Sequence, residues 1–267
     1  DGDPFHSDLS RFKDSGITGE FFSIYVSGTT LATGGAMRRA MDLIDATYRE
    51  AEKHPQQMTM CYTAAEIWKA KKQNKICALM GIEGGYVIED SLYALRTFYR
   101  LGVRYMTLTH NVATNWADAH RDEKHNGLTD FGKEVVREMN RLGMLIDISH
   151  VSVKTMNDAI DVSTAPIIAS HSSARGVNDH TRNVPDEVLK RIAKNGGVIM
   201  INFYPSFLDA RTNKEENERY ARLRDQVSAL QEQYKNDRKA LDEAIRKLEE
   251  ANPIYVPTYA RIVDPSR

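Results

Sequence analysis

Six short apolar runs recur along the chain: Phe21–Val26, Ile76–Glu83, Arg104–His110, Leu145–His150, Ile167–His171 and Val198–Phe203. Each is 5 to 8 residues long and rich in β-branched or aromatic side chains, and several are apolar on both faces of the pleat. Strands covered on both sides read this way, which is the habit of parallel sheets. Most of the intervening stretches carry helical period instead. Ala36–Glu52 sets Met37, Met41, Ile44 and Tyr48 on one face, and Ser91–Leu101, Asp130–Leu142, Val153–Ile160 and Pro185–Lys194 behave similarly. Gly102, Gly143 and Gly196 follow three of these helices as C-terminal stops, and Pro185 suits the start of another. Strand alternating with helix predicts an α/β fold with a parallel sheet.

One segment leaves that rhythm. From Lys214 to Glu250 the chain is mostly charged or polar, with Tyr220, Leu223, Val227, Leu230, Tyr234, Leu241 and Leu248 at heptad-like spacing. The pattern predicts one long helix, or a helical hairpin broken near Asn236, within an insertion spanning 208–253. A solvated helix pair with one apolar stripe on the barrel is favoured over a lid or an oligomer contact.

Composition narrows the function. The 267 residues are 41% hydrophobic, enough for a sizeable core. Lys plus Arg number 36 against 37 Asp plus Glu, so no basic footprint for nucleic acid exists. No run approaches the roughly 18–20 apolar residues of a membrane span. Cys61 and Cys77 lie in or beside apolar segments outside any CxxC pair, and are expected to be buried small hydrophobes rather than a disulfide.

Four of the six apolar runs end in a group able to bind metal or move protons: Glu83, His110, His150 and His171. In parallel α/β folds ligands gather at the C-terminal ends of strands. A single strand-end histidine is usually structural; three at matched positions are not. Neutral imidazoles with a carboxylate suit zinc. The two oxygens of Glu83 could bridge two ions, an arrangement that brings a bound water to a pKa of about 7. Gly84 and Gly85 would let the backbone turn and approach metal or substrate closely. An arginine such as Arg182 could clamp a carboxylate with its two-pronged donor geometry, or could equally lie at the surface beside a helix.

These residues sit in motifs that resemble the membrane (renal) dipeptidase family. They are FFSIYV, GIEGG at 81–85, RYMTLTHN at 104–111, NRLGMLIDISHVS at 140–152, PIIASHSSAR at 166–175 and RNVPDEVL at 182–189, covering about residues 5–205. The resemblance implies a (β/α)8 TIM-type barrel enzyme with two Zn2+ ions. Such an enzyme hydrolyses dipeptides, often with a D-residue on the C-terminal side, by a metal-bridged hydroxide. It further implies Glu83, His150 and His171 as metal ligands and Glu83 and His110 as catalytic groups, with His110 and Arg182 contacting the substrate. It favours a periplasmic or secreted location over the cytoplasm and leaves a homodimer open.

The family's barrel begins with a His-x-Asp strand and ends with an Asp-rich strand. His6-Ser7-Asp8 imitates the first, but lies too near FFSIYV and has no apolar strand before it, so it is read as a chance match. The expectation is a single incomplete barrel domain over 1–267 that lacks the first and last strands, with little activity of its own. Two rival functions stay open at this stage: another amidohydrolase-type deacylase, and a non-catalytic barrel used for binding.

Overall fold

The computed structural model describes residues 7–235 and 237–255. Seven strands are found among them: β1 (Gly19–Tyr25), β2 (Met58–Met60), β3 (Ile76–Glu83), β4 (Val103–Thr107), β5 (Leu145–Asp147), β6 (Ile168–Ser172) and β7 (Val198–Ile201). Their order in the sheet is β1-β3-β4-β5-β6-β7, with β2 alongside the start of β3. The registers from β1 to β6 are all parallel. Sequential parallel strands joined by helices form an arc of a (β/α)8-type barrel. The six predicted strands are therefore present, each within a few residues of its expected bounds.

The helices are α1 (Leu9–Asp14), α2 (Thr30–Thr33), α3 (Ala36–Lys53), α4 (Ala64–Lys72), α5 (Leu92–Arg100), α6 (Asp130–Leu142), α7 (Val153–Val162), α8 (Asp186–Asn195), α9 (Pro205–Leu208), α10 (Ala210–Gln233) and α11 (Arg238–Glu250). Gly102, Gly143 and Gly196 all take positive φ directly beyond helices, as stops should. The buried face of α3 is Ala36, Ala40, Ile44, Thr47 and Ala51, whereas Met41 is exposed. The expected face of Met37, Met41, Ile44 and Tyr48 shares only Ile44 with it, and small alanines fill most of the buried positions.

The contacts divide the chain into two compact units, Asp1–Ser170 with Glu187–Ile199, and His171–Asp186 with Met200–Arg267. The first holds most of the sheet and its covering helices. Its β3 is buried at every position except Glu83, as expected for a strand covered on both faces. The second contains α9, α10 and α11. The segment from Lys214 to Glu250 is a pair of helices rather than one long helix, and Leu223 is buried within it. Asn236, the expected break, lies outside the described residues.

Cys61 and Cys77 are buried, but they are joined in a disulfide, contrary to the expectation of two free thiols. The cause is β2, a strand too short to stand out in the sequence. Met58 pairs with Ile76 and Met60 with Ala78, which brings Cys61 beside Cys77.

Candidate metal centre

The sheet register places Glu83 level with Thr107, Thr107 level with Asp147, and Asp147 level with Ile168. His110, His150 and His171 each stand three residues beyond that level. Equal spacing on parallel strands thus brings the imidazoles to one end of the sheet, above the Glu83 side chain.

Glu83 is largely buried at the end of β3. Its Oε1 lies 3.1 Å from Nε2 of His150 and 3.9 Å from Nε2 of His110, and its Oε2 accepts a hydrogen bond from the Ser23 hydroxyl at 3.2 Å. The His110 and His150 rings are 4.2 Å apart, centre to centre, and Tyr25 meets His110 edge-on at 4.9 Å. His150 adopts the left-handed region at φ 66°, a conformation costly for a side chain with a Cβ. Its carbonyl accepts from the Thr109 hydroxyl at 3.2 Å and from the His120 amide at 2.8 Å, which holds the turn.

Beneath this level Asp147 is fully buried. It accepts from the Thr107 hydroxyl at 2.6 Å, the Ser149 amide at 3.0 Å, and the amide and hydroxyl of Ser170 at 2.8 and 2.5 Å. One carboxylate therefore ties β4, β5 and β6 together directly below their histidines. Burial, and then the nearby Asp147 charge, push the Tyr105 phenol above its ordinary range. The Tyr105 ring passes so close to Gly81 that a Cβ there would fall 2.1 Å from it.

The glycine pair after Glu83 is closely packed. Gly84 takes φ 110°, and a Cβ on Gly85 would meet the Leu108 carbonyl at 2.4 Å and the Trp116 ring at 2.6 Å. The 3-10 turn over Gly85–Ile88 then buries Tyr86, whose hydroxyl donates to the Val26 carbonyl.

β6 runs unbroken through Ser170 and His171, and Glu83, His150 and His171 each offer a ligand atom within 4.8 Å of the others. A carboxylate oxygen and two imidazole nitrogens at that spacing fit a divalent metal of the zinc type. His150 suits the role further, since Nδ1 lies 3.0 Å from Oδ1 of Asn111 and Nε2 is left facing Glu83. Arg182 is only 4% exposed, and its guanidinium donates to the His171 carbonyl at 3.0 Å and the Ser172 hydroxyl at 3.4 Å, over the Phe207 ring. Asp8 caps α1, accepting from the Arg11 amide at 2.8 Å; His6 lies outside the described residues.

Sequence reasoning missed Asn111, His120 and Asp147. The signal for Asp147 was a charge inside an apolar strand. Asn111 and His120 come from a loop without periodicity, and nothing in the sequence alone points to them.

A parallel barrel arc with a carboxylate and imidazoles at the strand ends is the architecture of metal-dependent hydrolases. Residues 1–249 match the model of the membrane dipeptidase family, peptidase family M19, and the chain belongs to that family. A dipeptidase of Schizosaccharomyces pombe, described as uncharacterized, is 41% identical over 218 residues, covering 77% of this chain and 53% of its own length. The chain thus spans about half the length of that curated relative. Among solved structures, a metallo peptidase from Rhodobacter sphaeroides liganded with a phosphinate mimic of the dipeptide L-Ala-D-Ala superposes with a TM-score of 0.70 at 28% identity, covering 78% of this chain and 68% of that one. The probable dipeptidase PvdM from Pseudomonas aeruginosa gives 0.75 at 25% identity, over 88% and 61%.

Proposed function

We propose that the whole protein is a zinc-dependent dipeptidase whose reaction takes place over Glu83. The observation that carries this reading is the group of Glu83, His150 and His171 at the sheet's C-terminal end. When bound, the metal supplies Lewis acidity and activates water. Two ions are the proposed complement, and Glu83, His150 and His171 would contribute to holding them.

The chain's own groups have separable tasks. Ser23 holds one oxygen of Glu83, so the other stays aimed at His150. His110, its Nε2 3.9 Å from that same carboxylate, would donate an N–H hydrogen bond to the oxygen of the scissile carbonyl as negative charge develops there. Arg182, oriented by His171 and Ser172, receives the substrate's free carboxylate. The bound mimic in the Rhodobacter sphaeroides relative supports dipeptides with a C-terminal D-residue as substrates. The Cys61–Cys77 disulfide supports an oxidising location, periplasmic or secreted.

Metal analysis and turnover on the purified whole protein test the reading. About two zinc ions per chain, lost together with dipeptide hydrolysis in Glu83→Gln, is the expected result. A protein free of metal would overturn it in favour of a binding role. Faster turnover of N-blocked substrates than of free dipeptides would point to a deacylase.

A further inference from the structure

Asn111 touches two imidazoles at once. Its Oδ1 lies 3.0 Å from Nδ1 of His150 and 3.2 Å from Nε2 of His120. An amide oxygen has two lone pairs and no proton, so it can accept from both rings but donate to neither. At each contact the imidazole must therefore carry the proton. For His150 this places a proton on Nδ1, so Nε2, 3.1 Å from Oε1 of Glu83, is the nitrogen left to face a metal. The opposite tautomer would set the Nδ1 lone pair against the amide oxygen and spend Nε2–H on the carboxylate, blocking the ligand position.

The surroundings hold this arrangement in place. The His120 amide donates to the His150 carbonyl at 2.8 Å, so the same two residues are linked through backbone as well as through Asn111. The His120 ring stands edge-on to the His150 ring at 6.1 Å. We propose that Asn111 is a positioning residue that sets the tautomer of His150 and thereby the affinity of the centre for its metal. The proposal rests on the reading of Glu83, His150 and His171 as ligands. Groups that orient a metal-bound histidine in this way are worth about 10- to 100-fold in metal affinity.

The test uses the purified whole protein, with zinc competed against a chelator, and thermal unfolding of the metal-free form as a second readout. Asn111 is exposed, so substitution opens no hole in the core. Asn111→Leu, which lacks the acceptor, should weaken zinc binding by about 10- to 100-fold, with the metal-free Tm unchanged. Asn111→Asp, which can only accept, should bind zinc as the wild type does or more tightly. Nitrogen NMR of the zinc-bound wild type should find His150 protonated on Nδ1, a measurement that needs no variant. Wild-type zinc affinity in Asn111→Leu, equal losses in the Leu and Asp variants, or a zinc-bound His150 with no proton on Nδ1 would each overturn the role of Asn111 while leaving the dipeptidase reading intact. A wild type that binds no zinc would overturn both.

Discussion

Three residues separate Thr107 from His110, Asp147 from His150 and Ile168 from His171, and a parallel register turns that equal spacing into equal height. This is why the strand-end histidines could be read from the sequence: a polar group closing an apolar run stands out without any knowledge of the fold. Asn111 and His120 could not be found that way, because the loop that carries them is organised by tertiary hydrogen bonds. Asp118, fully buried in that loop, accepts from the amides of Lys124, His125 and Gly127 at 2.7, 2.8 and 2.7 Å. Asp118→Asn turns part of that acceptor into a donor facing amides, and hydrogen bonds to a charged group are worth about 1.5–3 kcal/mol. Chemical denaturation should show a loss of that order, and zinc affinity should fall with it as His120 and Asn111 lose their support. For His110, substitution by alanine should lower kcat by about 10²- to 10³-fold, the usual cost of an oxyanion donor. Metal content should be unchanged, as measured by zinc analysis beside steady-state kinetics.

Elements were legible where a strong period met ordinary length. β3, eight residues and nearly all buried, and α6, capped by Thr129 and stopped by Gly143, lie within the predicted bounds. β2 has only three residues and α4 follows it closely, so neither stood clear of its surroundings. Ion pairs linking helices were likewise invisible to period. Glu138 on α6 takes hydrogen bonds from Arg141 at 2.7 Å through each oxygen and from Arg96 of α5 at 2.6 Å. Arg141 first, and then Arg96, hold its carboxyl down to about 2, below the ordinary 4.5. A carboxyl whose folded pKa is depressed stabilises the fold fully above its unfolded value and loses that contribution as pH falls toward the folded one. Glu138→Gln should therefore cost about 1.5–3 kcal/mol at neutral pH. The difference from wild type should shrink between pH 4.5 and about 2, as followed by urea denaturation at several pH values. A gap that stays constant down to pH 2 would show that Glu138 acts through packing alone.

At the scale of the whole molecule, the balanced charge of the sequence offers no footprint for a nucleic acid, and the family follows from the match over residues 1–249. The disulfide was the principal feature the sequence did not reveal, since its formation depends on β2 lying beside β3 far from any paired-cysteine motif. It joins positions 16 residues apart, and both its cysteines are fully buried. Closing a loop of about that size removes roughly 3 kcal/mol worth of unfolded-chain entropy. In a protein of this length each kcal/mol moves Tm by about 2–4 °C, so reduction should lower it by roughly 6–12 °C. The double substitution Cys61→Ala, Cys77→Ala should show a similar fall and no further response to reductant, which separates loss of the crosslink from side effects of the reducing agent. Because the pair anchors the start of β3, whose other end carries Glu83, the measurement should be repeated with zinc bound. An equal loss in both forms would confine the crosslink's effect to the fold, and a larger loss in the zinc form would show that it also supports the metal centre.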